Sequence, residues 1–458
     1  MAARFRHAAA VGAEAPGAIL AATARRHDPL LMRIERDLEI GGERFALLVE
    51  TRHGDVVART AVHDQSFRRR IGGARFVRKG DVAEVGHLAS GMTWKCAAAG
   101  LPADGEKSVI SCPAGLPATT AERAAILAEH ARAVRDVDDG VIFGPDMNNG
   151  EEVMSLVSEQ ADLLDHMTGL AGSHGGLSID TRGYTAIGLA AGIRAARRLL
   201  DEPLHTASIQ GFGAVGAHCG RLLYESGVAV RGASAVQGAL IADDGALPVG
   251  EMFAAWQTRG DVAFAEYAAR QPDGTHFDAD PDALLSVPAE IFVPAARTGV
   301  LAMPHEIQRV RELENPNCRD VTHFLDETGV RLIAQGANHP LTPAAEQYLH
   351  ERGVIVLPDY IVNCGGLVGC YFEWAYRDEL LRSAAKRDEM HGLALRVIER
   401  TVERNVDALF AMEGPIRERS RKLAEAHRAR LLARCARFDA AATSHAIARA
   451  CLEELVAA

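Results

Sequence analysis

Two lysines, Lys95 and Lys107, bracket a stretch of small and apolar residues that carries little charge. The stretch contains Leu-Pro-Ala-Asp-Gly, a turn-forming sequence that can fold the chain back and bring both ammonium groups into one cleft. Where water is scarce, each cation lowers the pKa of the other, and an anionic ligand stabilises both. The pair therefore predicts a site in which one lysine holds a carboxylate and the other acts as a base or activates water.

A second candidate site is the run Gly211-Phe212-Gly213-Ala214-Val215-Gly216, which follows a predicted strand at 206–210 and opens a predicted helix. In that context the first glycine permits a tight turn and Gly213 lets a pyrophosphate approach the helix N-terminus. Gly216 allows the helix to pack closely on the strand. The run predicts a dinucleotide site, and the alternative is a glycine-rich turn without a ligand.

The next predicted strand, 228–233, is followed by no carboxylate of the kind that usually grips the adenosine ribose. Arg231 and Ser234 near its end would tolerate a 2′-phosphate, so NADP is as compatible with the sequence as NAD. The alternative for Arg231 is that it faces solvent. The sequence does not choose between the two cofactors.

Strand and helix patterns alternate along most of the chain, which predicts an α/β fold with a doubly wound, Rossmann-type parallel sheet. A length of 458 residues exceeds what one core usually supports, so two domains are expected. The predicted helices are 81–99, 120–135, 151–165, 186–200 and one ending near 226, and the predicted strands are 44–50, 56–62, 206–210, 228–233, 290–296, 330–334 and 354–357.

The composition excludes several classes of function. The net charge of -11, with basic and acidic residues interleaved, argues against binding to nucleic acid. The eight cysteines form no Cys-x-x-Cys pair, which indicates buried thiols in a reducing compartment rather than disulfides or a metal site. With neither a leader nor a membrane-spanning segment recognised, a cytoplasmic protein acting on small molecules is expected.

Several stretches, ordered along the chain from about 72 to 374, resemble the glutamate, leucine, phenylalanine and valine dehydrogenases. The resemblance implies an amino acid dehydrogenase that uses NAD or NADP and forms a homo-oligomer through its first domain. The matching stretches are Gly72 to Phe76, Met92 to Lys95, Leu101 to Lys107, Gly144 to Asp146, the Gly211 loop, Gly336 to Asn338, Val354 to Asp359, Asn363 to Gly366 and Tyr371 to Trp374.

By position, the resemblance implies that Lys95 binds the α-carboxylate, that Lys107 activates the water that attacks the iminium, and that Asp146 shuttles the amine proton. The alternative for Asp146 is an N-cap of the helix at 151–165. The resemblance also implies further contacts: Gly72, Met92 and Asn363 with the substrate, and Thr181, Arg182, Ser234, Ala295 and Asn338 with the cofactor, beside the Gly211 loop.

Two positions concern the substrate side chain. Ile71 stands where glutamate-specific members look to have a lysine, and Cys370 stands where a serine is common. A second carboxylate would be desolvated and unpaired there, which predicts an apolar or aromatic L-amino acid and a closer relation to the leucine, phenylalanine and valine branch. The alternative is that Ile71 belongs only to the core.

Other positions depart from the family pattern. Asp104 and Glu106 flank Lys107 and would raise its pKa, and the usual Thr-Gly or Thr-Ala pair at the nicotinamide is replaced by Arg182-Gly183. These departures allow a catalytically silent, dinucleotide-binding homologue. A hydroxy-acid dehydrogenase is a further alternative and would need His174 or His339 in the cleft.

The resemblance completes the expected domain organisation. Residues 1–182 form an N-terminal α/β domain for substrate binding and oligomerisation. Residues 183–358 form the dinucleotide-binding domain, and helices within 359–458 return to pack on the first domain. The chemistry is expected in the cleft between the domains, with closure of the cleft gating turnover.

Overall fold

The computed structural model describes residues 31–160, 162–270, 273–313, 315–439 and 441–457, and its first sheet has six strands in the order β1-β2-β3-β5-β4-β6. The first three strands and β5 are antiparallel neighbours, whereas β4 runs parallel to β5 and β6. The strands are β1 (Leu31–Ile40), β2 (Glu43–His53), β3 (Val56–Val62), β4 (Arg70–Val77), β5 (Asp104–Ser111) and β6 (Val141–Gly144).

Within the described residues, three helices accompany this sheet: α1 (Val82–Ala99), α2 (Thr120–Val137) and α3 (Glu151–Ser158). Helix α1 begins where the Asp81 side chain accepts a hydrogen bond from Glu84 N, and it ends at Gly100, whose φ of 74° suits a left-handed cap. A Cβ at Gly105 would lie 2.2 Å from Ala89 O, so α1 packs directly on β5. This contact holds Lys95 over the strand that carries Lys107.

The second sheet is doubly wound, with strand order β10-β9-β8-β7-β11-β14-β15. Strands β8, β7, β11, β14 and β15 are parallel, as the alternating pattern predicts, and β9 and β10 extend the sheet antiparallel. The strands are β7 (Thr206–Gln210), β8 (Ala229–Ala235), β9 (Gly238–Ala242), β10 (Thr275–Asp278), β11 (Ile291–Pro294), β14 (Leu332–Ala334) and β15 (Ile355–Leu357), and a separate pair is β12 (Leu301–Ala302) with β13 (Arg319–Asp320).

Helices surround this sheet and continue to the end of the described chain. Those up to β15 are α4 (Tyr184–Arg198), α5 (Ala214–Glu225), α6 (Val249–Arg259), α7 (Val262–Ala269), α8 (Ile307–Leu313), α9 (Val321–Thr328) and α10 (Pro343–Glu351). Those after it are α11 (Asp359–Val362), α12 (Gly365–Ala375), α13 (Arg377–Arg382), α14 (Ala384–Phe410), α15 (Ile416–Cys435) and α16 (Ser444–Ala457). Among the described residues, no helix is both long and apolar enough to cross a membrane.

The last helices pack back on the first domain, in the way the sequence suggests. The Asn405 amide donates to Ala98 O at the end of α1 over 2.8 Å, and Arg428 Nη2 lies 2.8 Å from Asp104 Oδ1. The buried Glu373 carboxylate of α12 accepts backbone hydrogen bonds from Leu170 and Leu177. The two-domain α/β fold is therefore confirmed, whereas the exact boundaries at 182 and 358 stay predictions.

One helix and two strands near the site differ from the sequence-based expectation. Helix α3 ends at Ser158, well before 165, because Leu163 and Met167 turn inward to join the core of the first domain. Strands β4 and β5 were not expected as strands. Both are buried along nearly their whole length, and a strand covered on both faces lacks the alternating pattern that identifies a strand in a sequence.

Candidate active site

A cavity of about 740 Å³ separates the two sheets and opens at the carboxyl ends of the strands. In doubly wound folds this edge is the usual place for ligands. Most of the predicted site residues line the cavity: Ile71, Gly72, Met92, Lys95, Lys107, Asp146, Gly211, Phe212, Gly213, Ala214, Val215, Ser234, Ala295, Asn338, Asn363 and Cys370. The structure thus brings together residues that are up to 299 positions apart, from 71 to 370.

The two lysines meet in this cavity and both are buried, with 8% of Lys95 and 4% of Lys107 exposed. Burial lowers the pKa of Lys95, the nearby Lys107 lowers it further, and Asp359 opposes both effects. Lys95 Nζ donates to Asn338 Oδ1 over 3.0 Å, which links the first domain to the second across the cleft. The effect of Lys107 on Lys95 thus has the direction expected from the sequence.

Asp146 forms a closed ionic cluster with Lys107 and Arg75. Its Oδ2 atom lies 2.7 Å from Lys107 Nζ and accepts a hydrogen bond of 2.7 Å from Arg75 Nε. Burial would raise the pKa of Asp146, but the two cations hold it well below the ordinary value. Gly150 is the N-cap of α3, so the capping alternative for Asp146 does not apply.

Gly73 is the position on which this cluster depends. A Cβ there would lie 2.8 Å from Pro145 O and 2.9 Å from both Lys107 Nζ and Asp146 Cβ. Any side chain would therefore displace the lysine or the aspartate. As the sequence suggests, the paired glycines of β4 permit a close approach. At Gly73 the side chains that approach are those of Lys107 and Asp146.

The Gly211 loop forms the other wall of the cavity. Gly211 has a φ of 91°, and a Cβ at Gly216 would lie 1.8 Å from Gly211 O, so a side chain is tolerated at neither position. Gly216 is buried behind the loop, where it serves helix packing instead of lining the cavity. Helix α5 has no side-chain cap at Gly213, which leaves its first amides available to an anion. These features fit a dinucleotide pyrophosphate.

The positions of Thr181 and Arg182 correct the expectation that they contact the nicotinamide. Thr181 lies outside the cavity, where its carbonyl accepts from His218 Nε2 over 3.0 Å. Arg182 pairs with Asp388 at 3.1 Å on the surface. The turn at Gly183 directs both residues away, and Thr185, on the first turn of α4, lines the cavity in their place.

Neither Asp104 nor Glu106 contacts Lys107, so the expected effect of Asp104 on the lysine requires correction, whereas Lys107 lies near enough to lower the pKa of the Glu106 carboxyl. Asp104 accepts from Phe67 N over 2.7 Å and pairs with Arg428. Glu106 accepts from the Ser108 hydroxyl over 3.2 Å, on the face of β5 opposite Lys107. Burial raises the pKa of Asp104 to about 6 and that of Glu106 to about 8.

A pH-dependent stability follows from the Glu106 carboxyl. The folded protein holds its proton up to about pH 8, whereas the unfolded chain releases it near the ordinary pKa of 4.5. The stabilisation is therefore complete below pH 4.5 and is lost as the pH rises through 8, by about 1 kcal/mol per pH unit. Glu106→Gln, which stays neutral, removes this slope. Urea unfolding of both proteins at pH 5 to 9 measures it, and parallel slopes would contradict the assignment.

Sequence reasoning missed Arg75 and Asp359 as parts of the site. Arg75 is 6% exposed and lies two positions after Gly73 on β4, so strand alternation places both on one face. Asp359 follows β15 at the carboxyl edge of the parallel sheet, and His339 and Arg417 hold the pKa of its buried carboxyl below the ordinary value. Its position just after a parallel strand is a signal from which Asp359 could have been predicted as a site residue.

The histidines required for a hydroxy-acid dehydrogenase do not line the cavity. His174 Nε2 contacts Glu159 Oε1 at 3.0 Å in an exposed loop. His339 packs against the His87 ring with centroids 4.1 Å apart, behind the Lys95 side of the cleft. His339 Nδ1 lies 3.7 Å from Asp359 Oδ2, but this pair is outside the lining of the main cavity, which does not favour hydroxy-acid chemistry there.

Comparison with protein families agrees with this geometry. A family model described as Glutamate/Leucine/Phenylalanine/Valine dehydrogenase matches residues 175–430, and one described as Glu/Leu/Phe/Val dehydrogenase, dimerisation domain, matches 45–162. The chain belongs to the Glu/Leu/Phe/Val dehydrogenase family. The fold and the site are thus those of this family of amino acid dehydrogenases.

Its relatives are named glutamate dehydrogenases. The mitochondrial enzyme of Dictyostelium discoideum is 28% identical over 356 residues, covering 72% of this chain and 65% of its own length. The NADP-specific enzyme of Saccharolobus shibatae is 29% identical over 326 residues, covering 68% and 69%. NADP-specific enzyme A1 of Halobacterium salinarum is 29% identical over 331 residues, covering 68% and 72%. These names do not support the closer relation expected with the leucine, phenylalanine and valine branch.

Solved structures share the fold. The hetero-hexameric glutamate dehydrogenase of Thermus thermophilus, in a leucine-bound form, has a TM-score of 0.65 at 22% identity and covers 90% of each chain. Plasmodium falciparum glutamate dehydrogenase has a TM-score of 0.65 at 16% identity, covering 91% of this chain and 84% of its own. The expectation of NAD or NADP as cofactor is confirmed at the level of the family, since two relatives are named NADP-specific.

Proposed function

We propose that this protein catalyses the reversible, NAD(P)-dependent oxidative deamination of an L-amino acid to the 2-oxo acid and ammonium. The observation that carries the proposal is the meeting of Lys95, Lys107 and Asp146 in one cavity that faces the Gly211 loop. An amino acid zwitterion complements two cations and one anion. A bound nicotinamide dinucleotide supplies the acceptor for the hydride that leaves Cα.

Each side chain has a distinct task in this proposal. Lys95 binds the α-carboxylate, and its own position is fixed by Asn338, which Asn363 holds in turn through a hydrogen bond of 3.1 Å. Asp146 attracts the substrate ammonium and receives its proton. Lys107, 2.7 Å from Asp146, exchanges protons with it and orients the water that hydrolyses the imine.

The cavity favours an apolar side chain on the substrate. Ile71 is 1% exposed and Cys370 is 7% exposed, and both line the cavity at the positions assigned here to the substrate side chain. Of the other cations that line it, Arg75 is paired with Asp146 and Arg297 with Asp282. A second substrate carboxylate would therefore be buried without a partner, which costs several kcal/mol. Glutamate is the second candidate, since the relatives are named glutamate dehydrogenases.

A substrate panel tests the proposal. Purified protein is assayed with each proteinogenic amino acid and with NAD⁺ or NADP⁺, and reduced nicotinamide is followed by absorbance. Turnover of apolar or aromatic L-amino acids, with an ammonium-dependent reverse reaction, is the expected result. Preference for glutamate would overturn the proposed specificity. Cofactor binding without any turnover would identify the silent homologue instead.

We also propose a homo-oligomer formed through the first domain. The domain matched at 45–162 is described as a dimerisation domain, and β1 forms an edge of the sheet. This strand exposes apolar side chains at Leu31 (60%), Met32 (51%) and Ile34 (41%). An open apolar edge strand favours pairing with another chain. Light scattering of the purified protein measures the mass, and a monomer would contradict the proposal.

The cytoplasm is the proposed location. All eight cysteines are free thiols in the structure and seven of them are buried, which suits a reducing compartment. One relative is named as mitochondrial, so a fluorescently tagged protein observed in its host decides between the two compartments.

A further inference from the structure

We propose that Asp261 binds the adenosine ribose and makes this protein select NAD over NADP. This inference rests on the proposed function, because it requires a nicotinamide dinucleotide to bind in the cleft. The strand that usually supplies the ribose-binding acid, β8, ends in Ser234 and Ala235, and no acid follows directly. Asp261 supplies the missing carboxylate from another element, the corner between α6 and α7.

The geometry of this corner directs the carboxylate to the Gly211 loop. Asp261 lines the same cavity, and its Oδ1 and Oδ2 atoms lie 3.6 and 4.0 Å from the place of a Cβ on Gly213. The second glycine of such a loop lets the backbone approach the pyrophosphate, to which the adenosine ribose is joined. Asp261 is also an exposed residue, so a ligand can reach its oxygens.

Two contacts hold Asp261 in this orientation. Trp256 Nε1 donates to Asp261 Oδ1 over 3.0 Å, which leaves Oδ2 free to accept from a ligand hydroxyl. Phe264, on the first turn of α7, packs against Phe212 of the loop with ring centroids 5.8 Å apart. The carboxylate is therefore set in place by the loop it faces, before any ligand arrives, and this lowers the entropic cost of binding.

The charge of the group decides between the cofactors. A carboxylate accepts hydrogen bonds from the 2′- and 3′-hydroxyls of a ribose, whereas a 2′-phosphate at that place would meet it as a like charge. The arginines that could compensate the charge of a 2′-phosphate do not offer a free guanidinium at this place. Arg297 is paired with Asp282, and Arg231 is not among the residues that line the cavity. A 2′-phosphate thus finds repulsion at Asp261 and no free guanidinium nearby among the described cavity residues.

Isothermal titration of NAD⁺ and NADP⁺ without amino acid tests the assignment. The unaltered protein is expected to bind NAD⁺ at least about tenfold more tightly than NADP⁺. Asp261→Asn weakens NAD⁺ by about tenfold and strengthens NADP⁺, because Trp256 Nε1 holds the amide oxygen, so a neutral NH₂ donor replaces the charged acceptor and the repulsion of a 2′-phosphate is lost. Trp256→Phe, which keeps the carboxylate but removes its hydrogen bond, weakens NAD⁺ by a smaller factor.

Asp244→Asn is the matched control, because this exposed residue lies outside the cavity lining and its loss changes the net charge equally. It leaves both affinities unchanged. If Asp261→Asn strengthens both cofactors alike, Asp261 only repels the pyrophosphate and the assignment is overturned. An unchanged preference overturns it as well. Binding of neither cofactor to the unaltered protein would instead remove the proposed function, and the assignment with it.

Discussion

The Lys107→Ala variant is expected to deaminate amino acids about 10³ times more slowly than the unaltered protein. The alanine removes the ammonium that lies 2.7 Å from Asp146, so the water that hydrolyses the imine loses its proton partner. Dinucleotide affinity stays within about twofold, because the Gly211 loop belongs to the other domain. Steady-state kinetics measures the first effect, and calorimetric titration of the cofactor measures the second.

A matched control distinguishes a catalytic role of Lys107 from the mere loss of one positive charge. Lys79→Ala removes an exposed lysine of the same domain and should leave both quantities unchanged. Lys107→Arg retains a cation, but its planar guanidinium cannot replace the ammonium geometry, so its turnover should resemble that of the alanine variant. Turnover of Lys107→Ala close to that of the unaltered protein would exclude Lys107 from the mechanism.

The Ile71→Lys variant is expected to shift preference toward glutamate by a factor on the order of a hundred in the ratio of kcat/KM values. The new ammonium lies in the cavity at a nearly sealed position, where a substrate side-chain carboxylate can pair with it. Apolar substrates leave that ammonium unpaired and lose affinity. Kinetics with glutamate and with the best apolar substrate of the panel gives the ratio.

Stability is the control for this second variant, since a buried lysine destabilises a core. Ile71→Met keeps the site apolar and should retain the original substrate order. The Tm of Ile71→Lys should rise when glutamate and cofactor are added together, because only then is the new charge paired. A folded Ile71→Lys protein with the original substrate order would show that Ile71 does not line the substrate side-chain pocket.

Much of the site could be predicted from the sequence because its parts follow local rules. The Gly211 loop follows a strand and opens a helix, and that context alone indicates a dinucleotide. Lys95 and Lys107 were recognised by their spacing, and Asp146 through the family resemblance. The structure places all three in one cavity.

The remainder depends on contacts between distant segments. The orientation of Glu106 requires β5 to be recognised as a strand, and its Asp-Gly sequence resembles a turn instead. The family resemblance alone places Thr181 and Arg182 at the cofactor, whereas the turn at Gly183 brings Thr185 to the cavity. Asp261 approaches Gly213 only because two helices, α6 and α7, meet beside the loop. No local sequence pattern predicts this proximity of Asp261 to Gly213.

The most direct test of the central claim is transfer of the Cα hydrogen to the nicotinamide. The protein is incubated with the preferred amino acid carrying deuterium at Cα, and the reduced dinucleotide is analysed by mass spectrometry. One deuterium per reduced nicotinamide, with release of one ammonium, is the result that the Lys95, Lys107 and Asp146 arrangement predicts. Reduced dinucleotide without the label, or none at all with every amino acid of the panel, would contradict it.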